Sequence, residues 1–253
     1  MKPKSPTEIL YGAHTVGEAL IAGRREFHSI WASPGKNTER RKAILSAAIK
    51  KNIPVHTAPH PELARIAGTQ KHHGVIAKVS AYPLLSLESL IQRLLEKPSG
   101  MLVLLDSIHD PHNLGALTRT ALCAGAVGMI IPKDRSSGPT PAASHVSAGS
   151  LEHMPLAAVT NLSRAMDRLK QNSIWCHGLD IQGDRSLFDI GFPKHTALVI
   201  GNEEKGLRRL IREKCDTLIK IEQASTLNSL NASVAGGITM YTFYRQQLKD
   251  ELL

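Results

Sequence analysis

The amino-acid sequence predicts an α/β protein with two domains, and three observations support this fold class. Residues 1–80 alternate short helical and extended segments, whereas from residue 100 near-continuous apolar strands are separated by helical stretches. Between them, residues 81–99 carry a helical stripe of leucine side chains. Positive charge is concentrated in the first 80 residues. We therefore expect a small basic α/β domain over 1–80, a linker helix or first helix of the next domain over 81–99, and a larger α/β domain over 100–253.

Apolar periodicity defines the elements of both domains. In the first domain, helices are predicted at 13–22, 39–51 and 62–68, and extended segments at 29–32, 55–57 and 75–79. In the second domain the apolar runs are MLVLL at 101–105, VGMII at 127–131, SIWCHGLD at 173–180, TALVIG at 196–201 and TLIKI at 217–221. Such runs are typical of strands that are buried on both faces, so we expect a mostly parallel sheet covered by helices.

The composition excludes several classes of protein. Of the 253 residues, 42% are hydrophobic, which is ordinary for a globular chain and too high for a mainly disordered one. No apolar run approaches the roughly 20 residues that a membrane-spanning helix needs, and the first residues lack the apolar stretch of a signal peptide. Three dispersed cysteines, Cys123, Cys176 and Cys215, form no CxxC pair, which is typical of a reducing compartment. A cytoplasmic protein is expected.

The distribution of charge indicates a polyanionic partner. Residues 1–80 hold 13 Lys or Arg against 5 Asp or Glu, a net of +8, whereas the remaining 173 residues have a net of +1. The basic runs are Arg24-Arg25, Arg40-Arg41-Lys42 and Lys50-Lys51. Any single pair could simply solvate a helix face, but the asymmetry as a whole favours nucleic acid. Because Tyr11, Phe27 and Trp31 are the only aromatic residues in this region, backbone and shape contacts should outweigh base stacking.

The first motif, DSIHDPHNLGALTRTALCAG at 106–125, directly follows a buried strand. We expect its loop to end in an N-cap at Asn113, with a helix following to about Gly125. Leu114 and Leu117 share the helix face that packs on the sheet, whereas Arg119 is rotated off it and can point into a cleft. A helix start beside a strand end is a natural ligand site in an α/β sheet. Taken alone, however, the pattern favours an exposed structural arginine.

The second motif, TALVIGNEEKGL at 196–207, is a strand followed by a glycine turn and a helix. Gly201 and Gly206 allow tight turns that bring backbone groups close to a ligand. Glu203 and Glu204 argue against a phosphate cradle, and the fingerprints of P-loop and dinucleotide-binding proteins do not occur. An ordinary nucleoside triphosphatase or dinucleotide enzyme is therefore not expected.

The third motif, IEQASTLNSLNASVAGG at 221–237, combines a dense run of Ser, Thr and Asn with small residues. The polar side chains can cap a helix and contact a ligand, and the small residues allow close packing against another backbone. An N-cap with a tight helix contact and no ligand explains this stretch equally well.

Metal binding and serine hydrolysis find little support. His109 and His112 flank Asp110, and His72 and His73 are adjacent, but none of these spacings matches a metal-binding signature. The sequence contains no G-x-S-x-G elbow. We therefore predict that the protein binds no metal.

The three motifs, in this order and spacing, resemble the signatures of the SpoU family of RNA ribose methyltransferases, within the superfamily of knotted methyltransferases. The corresponding stretches are D-P-H-N-L-G-A-L-x-R-T-A, V-I-G-N-E-x-x-G-L and S-L-N-A-S-V-A. The region from Tyr11-Gly12 to H-H-G-V-I-A at 72–77 resembles the small RNA-binding domain of the family, so the resemblance covers the whole chain. It is nearest to the subgroup that methylates a guanosine 2′-hydroxyl in bacterial large-subunit ribosomal RNA. Glu204 departs from the pattern, since the family often has glycine there.

The resemblance implies a fold, a cofactor and an assembly. The second domain would be an α/β fold with a C-terminal trefoil knot, and it would bind S-adenosylmethionine between the loops of motifs 2 and 3. Cofactor contacts fall on Gly201, Ile221 and Leu230, largely through backbone groups. The resemblance also implies a homodimer with RNA as substrate and the active site near the subunit interface.

The resemblance further implies a catalytic set of Arg119, Asn113, Glu203, Ser229 and Asn231, with Ser233 as a possible further member. Family analogy sometimes makes Arg119 the general base, but deprotonating a guanidinium with a pKa above 12 at neutral pH would cost roughly 7 kcal/mol. Our hypothesis is that Arg119 grips a phosphate and polarises the attacking 2′-oxygen. Asn113 and Asn231 would position Arg119 or the ribose, Glu203 would orient Arg119 or RNA-contacting groups, and Ser229 would contact the substrate.

Two alternatives remain open at this point. One is a related methyltransferase that acts on transfer RNA, because charge alone does not select the RNA. The other is a non-catalytic RNA-binding protein, such as a ribosome-assembly factor that has kept the fold. The joint presence of Arg119, Glu203 and Asn231 argues against the second alternative.

Overall fold

The computed structural model describes residues 6–35, 38–134, 136–224 and 230–250. The chain divides into two compact units. The first unit takes in the chain up to residue 83 together with 139–153, and the second unit takes in 84–138 and the chain from 154 onwards.

The first unit contains a mixed four-stranded sheet flanked by helices. Along the chain its first seven elements are β1 (Thr7–Tyr11), α1 (Ala13–Ala22), β2 (Phe27–Ala32), α2 (Glu39–Lys50), β3 (Val55–Thr57), α3 (His60–Ala67) and β4 (Val75–Ser80). The strand order is β1-β4-β2-β3, with β4 antiparallel to both of its neighbours and β3 parallel to β2. All six predicted elements are confirmed to within two residues at each end, and β1 was not predicted.

Because successive side chains of a strand point to opposite faces of the sheet, the strands contribute to two hydrophobic cores, one on each face. Leu10, Ile30 and Ala77 face α1 and α2, where they join Val16 and Ile44. Residues of the opposite face, including Ile76, pack with α3 around Leu63. Both faces of the sheet are therefore covered by helices.

From residue 84 the chain continues through α4 (Leu87–Leu95), β5 (Gly100–Leu105), α5 (Pro111–Cys123), β6 (Gly128–Pro132), α6 (Pro141–Val146), β7 (Leu156–Val159), α7 (Leu162–Gln171), β8 (Trp175–Leu179), β9 (Arg185–Ser186), β10 (His195–Ile200), α8 (Arg209–Lys214), β11 (Thr217–Lys220) and α9 (Ala232–Asp250). Helix α6 belongs to the first unit and the other elements belong to the second. No helix in the described ranges is long and apolar enough to cross a membrane.

The second unit is built on a seven-stranded sheet in the order β7-β6-β5-β10-β8-β11-β9, in which every pairing is parallel. This confirms the predicted parallel sheet. The strands β5 and β10 lie side by side at its centre, and nearly all of their residues are buried. The chain winds outward from β5 to β6 and β7 on one side, and it returns to β8, β10 and β11 on the other. The carboxyl ends of β5 and β10 therefore form a topological switch point, where open α/β sheets bind ligands.

The division of the chain differs from the predicted boundaries of 1–80, 81–99 and 100–253 at residues 139–153. Of the two alternatives for 81–99, helix α4 packs as the first helix of the second unit, because Leu90 and Leu94 are fully buried in its core. Residues 139–153 were assigned to the second domain but belong to the first unit. A buried ion pair explains this grouping, since Glu152 accepts hydrogen bonds from Arg25 Nε at 2.6 Å and Nη2 at 3.0 Å.

The pair Arg24-Arg25 is therefore structural and was wrongly counted in the polyanion-binding surface. The Arg25 side chain is fully buried between Glu152 and Glu8. Arg24 donates to the Tyr82 hydroxyl at 3.0 Å and to the Pro83 carbonyl at 3.1 Å. The basic residues of α2 differ, because most of them remain exposed.

Candidate functional site

The first and second motifs meet at the switch point between β5 and β10. Asp106 follows β5 directly and is fully buried. Its backbone N–H donates to the Ile200 carbonyl at 2.8 Å, and its carboxylate accepts from Arg208 N at 2.8 Å and from Arg208 Nε at 2.6 Å. The sequence analysis assigned no role to Asp106, although its position as the first polar residue after a buried strand was a usable signal. The pair with Arg208 joins the loops after the two strands.

The N-cap of α5 is Asp110, so the predicted N-cap at Asn113 is wrong. Asp110 accepts a hydrogen bond from the His112 N–H at 2.8 Å. Pro111 occupies the first helical position, which its fixed φ and missing N–H favour. Asn113 therefore lies within the first turn, and its side chain is free to face the second motif.

Three predicted residues from three motifs form one hydrogen-bonded cluster, which we call the amide–carboxylate cluster (Asn113, Glu203 and Asn231). Asn113 Nδ2 donates to Glu203 Oε1 at 3.1 Å, and Asn231 Nδ2 donates both to the same oxygen and to Asn113 Oδ1, the latter at 3.3 Å. The Ala232 N–H also donates to Glu203 Oε1, at 3.3 Å. One carboxylate oxygen is thereby fixed by three donors. No partner is found for the other oxygen, Oε2, in the described part of the chain.

Asn231 also begins helix α9. Its Oδ1 accepts from the N–H groups of Ser233 and Val234 at 2.9 and 3.3 Å, which is the geometry of an N-cap. The Ser233 hydroxyl donates to the same oxygen at 2.5 Å. Ser233 thus holds Asn231, which in turn bonds Glu203. Ser229, which the resemblance assigns to substrate contact, lies outside the described residues.

The glycine turn of the second motif is closed by Asn202. Asn202 and Gly206 exchange backbone hydrogen bonds of 3.1 and 2.9 Å, and Asn202 Oδ1 accepts from the Glu204 N–H at 3.0 Å. The left-handed residue is Gly206, with φ of 64°, so glycine is not required at position 204. A Cβ on Gly201 would lie 2.4 Å from the Gly206 carbonyl carbon. Glycine at 201 is therefore needed so that the turn can fold back on the strand.

A cavity of about 630 Å³ opens beside this turn. All three predicted cofactor residues, Gly201, Ile221 and Leu230, line it. Its wall is apolar along the strands and polar at the rim. The apolar lining includes Ile200, Leu207 and Ile219, and the polar lining includes Asp180, Gln182, Glu203, Arg212 and Gln223. Sequence reasoning missed Asp180 and Arg212, which form an ion pair at 2.9 Å.

Arg119 is not part of the amide–carboxylate cluster within one chain. It is exposed on α5, and no hydrogen bond or ion pair of its guanidinium is found among the described residues. Arg119 follows Asn113 by six residues, which turns it about 120° around the helix axis. Its side chain therefore leaves α5 in a different direction from that of Asn113. No group of three or more His, Cys, Asp or Glu side chains that could hold a metal ion occurs in the described ranges.

Comparisons with known proteins match both units. Residues 100–241 match the SpoU rRNA Methylase family, and residues 9–85 match the RNA 2′-O ribose methyltransferase substrate binding family. The 23S rRNA (guanosine-2′-O-)-methyltransferase RlmB of Pseudomonas putida is 37% identical over 247 residues, which cover 96% of this chain and 98% of that protein. YacO of Bacillus subtilis is 37% identical over a region that covers 95% of this chain and 96% of that protein. Its name describes a TrmH family tRNA/rRNA methyltransferase and so does not specify which of the two RNAs is the substrate.

A solved structure shares the fold over nearly the whole length. The SpoU methyltransferase AviRb from Streptomyces viridochromogenes, in complex with the cofactor AdoMet, superposes with a TM-score of 0.80 and 25% sequence identity. The alignment covers 96% of this chain and 91% of that one. Two family matches, near-complete relatives and this shared fold lead to one conclusion: the chain belongs to the SpoU rRNA methylase family.

Proposed function

We propose that this chain transfers a methyl group from S-adenosylmethionine to a ribose 2′-hydroxyl of RNA, and that the substrate is a guanosine of large-subunit ribosomal RNA. The observation that carries the proposal is the amide–carboxylate cluster, which brings together residues of all three motifs at the rim of a cofactor-sized cavity. Family membership supports the reaction. The name of the Pseudomonas putida relative supports the guanosine substrate.

The residues around the cavity fit S-adenosylmethionine. Its volume of about 630 Å³ falls within the range of about 300–1,000 Å³ that is usual for small-molecule sites. Ile200, Ile221 and Leu230 would hold the flat adenine ring, and the polar rim would hold the amino-acid end. When bound, the cofactor supplies an electrophilic methyl group.

The chain's own groups would hold the ribose and its proton. The ribose 2′-oxygen must form a bond to the methyl carbon and lose its hydrogen. Glu203 Oε2, held in place through the three donors on Oε1, can accept a hydrogen bond from that hydroxyl or from a guanidinium. Arg119 would grip the neighbouring phosphate and polarise the attacking oxygen. Fixing both reactants in line can remove on the order of 7–11 kcal/mol of the barrier.

We also propose a homodimer with the site near its interface. Val234, Tyr241 and Leu248 are exposed on α9 by 48, 48 and 43% of their surfaces. They follow one another at intervals of seven residues and therefore form one apolar stripe along the helix. Helix α9 packs on α5, which carries Arg119. The trefoil knot implied by the resemblance and the cytoplasmic location expected from the sequence stay predictions.

The test is transfer of a labelled methyl group from S-adenosylmethionine to unmodified large-subunit rRNA and, separately, to bulk tRNA. We expect label in ribose on rRNA, and no label with Arg119→Ala. Arg119→Lys should also be inactive at every pH, because the bidentate fork is lost, whereas a base role would recover at raised pH. Label on tRNA alone would show that the substrate is tRNA and not rRNA, with the same chemistry. If neither RNA is labelled and calorimetry detects no cofactor binding, the result would favour the alternative of a non-catalytic RNA-binding protein.

Mixing two inactive variants tests the shared site. If Arg119 and Glu203 act from different subunits, equal mixing of Arg119→Ala and Glu203→Ala chains restores about one quarter of the wild-type sites. Mixtures that stay inactive, although the subunits exchange, would place both residues in one chain's site.

A further inference from the structure

Five rings gather at one end of the four-stranded sheet in the first unit, and we call them the ring cluster (Tyr11, His60, His72, His73 and His145). The topology brings them together from four segments. Strand β1 ends at Tyr11, β4 begins just after His72 and His73, α3 begins at His60, and His145 lies on α6. The cluster is separate from the amide–carboxylate cluster, which lies in the second unit.

Ring contacts join the members of the cluster in two groups. The Tyr11 and His145 ring centroids are 4.8 Å apart, and those of His145 and His73 are 6.0 Å apart with only 16° between the ring planes. His60 and His72 are 5.2 Å apart. His145 Nδ1 also lies 3.3 Å from the Tyr11 carbonyl oxygen. The rings therefore form a group of three and a pair, which the adjacent residues His72 and His73 bring together.

The backbone leaves room for these rings, and two of them, His60 and His73, are exposed. A Cβ on Gly12 would lie 2.9 Å from His145 Nδ1, so glycine at 12 leaves room for that imidazole. The φ of His73 is 47°, in the left-handed region that residues other than glycine rarely adopt. The buried His72 fixes this turn, since its Nδ1 accepts from the Gly74 N–H at 3.1 Å.

The electrostatic surroundings favour flat, uncharged rings beside positive charge. Burial lowers the pKa of His72, and the neighbouring His60 and His73 lower it further. Burial also lowers the pKa of His145, against a hydrogen bond to Tyr11, and His73 and Lys71 add to the lowering. Both imidazoles are therefore neutral at neutral pH. Lys71 is exposed next to them and can contact a phosphate.

We propose that the ring cluster binds unpaired RNA bases by stacking, so that the first unit recognises single-stranded or looped segments of the substrate. Histidine is among the side chains on which unstacked bases are held. The sequence analysis expected stacking to be minor because it counted only Phe, Trp and Tyr, whereas four of these five rings are imidazoles. The inference rests on the proposed function, which makes RNA the substrate.

The test compares the affinity of ring variants for a short fluorescent single-stranded RNA and for a blunt duplex of the same length. His73→Asn removes the ring at a position where asparagine tolerates the left-handed conformation. His145→Ala removes the second ring, and His145→Phe restores a flat face. We expect each ring loss to weaken single-strand binding about tenfold, within the range of base stacking, and duplex binding less than about twofold. His145→Phe should bind as the wild type does.

Salt dependence separates stacking from phosphate contacts. Loss of a stacked base should leave the slope of log K against log salt unchanged, whereas loss of one phosphate contact lowers it by about 0.7 for a single strand. The control is His28→Asn, because His28 lies near the start of β2, four residues before the strand ends on the cluster side at Ala32, and so about 13 Å away along the strand. Thermal unfolding of every variant, compared with that of the wild type, checks that the first unit remains folded.

Methyl transfer by the same preparations separates the two proposals. If wild type methylates rRNA but the ring variants bind single strands normally, the stacking inference is overturned and the proposed function stands. Equal weakening for duplex and single strand, with a reduced salt slope, would also overturn it. Wild-type protein that neither binds RNA nor transfers methyl would overturn both.

Discussion

Glu203 and Glu204 are neighbours in the sequence with opposite surroundings. Glu203 Oε1 accepts from two side-chain amides and one backbone N–H. Glu204 is exposed, and its backbone N–H donates to Asn202. The same chemical group is therefore fixed at one position and solvated at the next. This pair offers a matched test of the amide–carboxylate cluster.

Glu203→Gln should lower kcat/KM for methyl transfer by about 10- to 100-fold, because hydrogen bonds to a charged group contribute about 1.5–3 kcal/mol. Glu204→Gln makes the same substitution without touching the cluster, so its activity should match that of the wild type. Steady-state methyl transfer measures both. Equal effects of the two substitutions would show that charge near the cavity matters and that the cluster geometry does not.

The sequence predicted which residues would lie close together better than it predicted the local geometry that places them there. Asn113, Glu203 and Asn231 were placed in one site by resemblance, and Gly201, Ile221 and Leu230 do line one cavity. The N-cap at Asp110 was missed because both Asp110 and Asn113 are good capping residues and only the position of Pro111 decides between them. The resemblance placed Arg119 in the same site, but within this chain it leaves α5 about 120° around the helix axis from Asn113.

At the scale of elements, two adjacent glycines in α9 face different neighbours. A Cβ on Gly236 would lie 2.6 Å from Leu117 Cδ2 and 2.7 Å from Ile200 Cδ1, both of them buried side chains. A Cβ on Gly237 would meet Thr120 Cγ2 at an ordinary 3.5 Å. Gly236 thus sets the close approach of α9 to α5, and Gly237 does not.

Gly237→Ala should stabilise the protein by about 0.5–1 kcal/mol, because alanine is the better residue within a helix. Gly236→Ala should destabilise it by about 1–2 kcal/mol, since overpacking outweighs the same helical gain. Urea unfolding of the two variants gives both free energies against the wild type. A stable Gly236→Ala protein would mean that Leu117 and Ile200 can move aside.

Elements with clear apolar patterns were predictable. The helix α1 and the central strands β5 and β10 have such patterns, and each was predicted to within a residue at either end. Strand β9 has two residues, too few to complete a recognisable period, and it was not predicted. Edge strand β1 carries one fully buried residue, Leu10, and its local apolar signal is correspondingly weak.

At the scale of the whole molecule, a buried histidine couples the stability of the fold to pH. His177 on β8 is almost completely buried, and neither ring nitrogen has a hydrogen-bond partner among the described residues. It packs edge-on against Phe192 with 5.4 Å between the ring centroids. Burial lowers the pKa of His177 to about 4, against a smaller opposing effect of Asp216.

The unfolded chain therefore binds a proton at His177 at a higher pH than the folded chain does. Stability should be unaffected above the ordinary pKa of 6.5, and it should fall as the pH decreases from 6.5 to about 4. The full loss is roughly 3 kcal/mol. His177→Leu should remove that part of the pH dependence, whereas His109→Asn, at an exposed position, should keep it. Urea unfolding at a series of pH values measures the difference.

The division into two units shows that the order of segments along the chain does not always predict which unit a segment belongs to. Charge and periodicity located the end of the first sheet near residue 80, and β4 does end at Ser80. They could not assign 139–153 to the first unit, because the ion pair of Arg25 with Glu152 joins residues 127 positions apart. Long-range pairs of this kind leave no local pattern.

That ion pair also sets an order of events during synthesis. Arg25 leaves the ribosome early, but Glu152 follows Pro83 by about 70 residues, which at about 5–20 residues per second takes roughly 3 to 14 s. Throughout this interval the nascent first unit holds a guanidinium that has Glu8 but not yet its second carboxylate partner, Glu152. Final closure of the first unit is thus delayed until β5 and β6 of the second sheet have been translated, so a ribosome that stalls between the two segments releases a chain with neither unit complete.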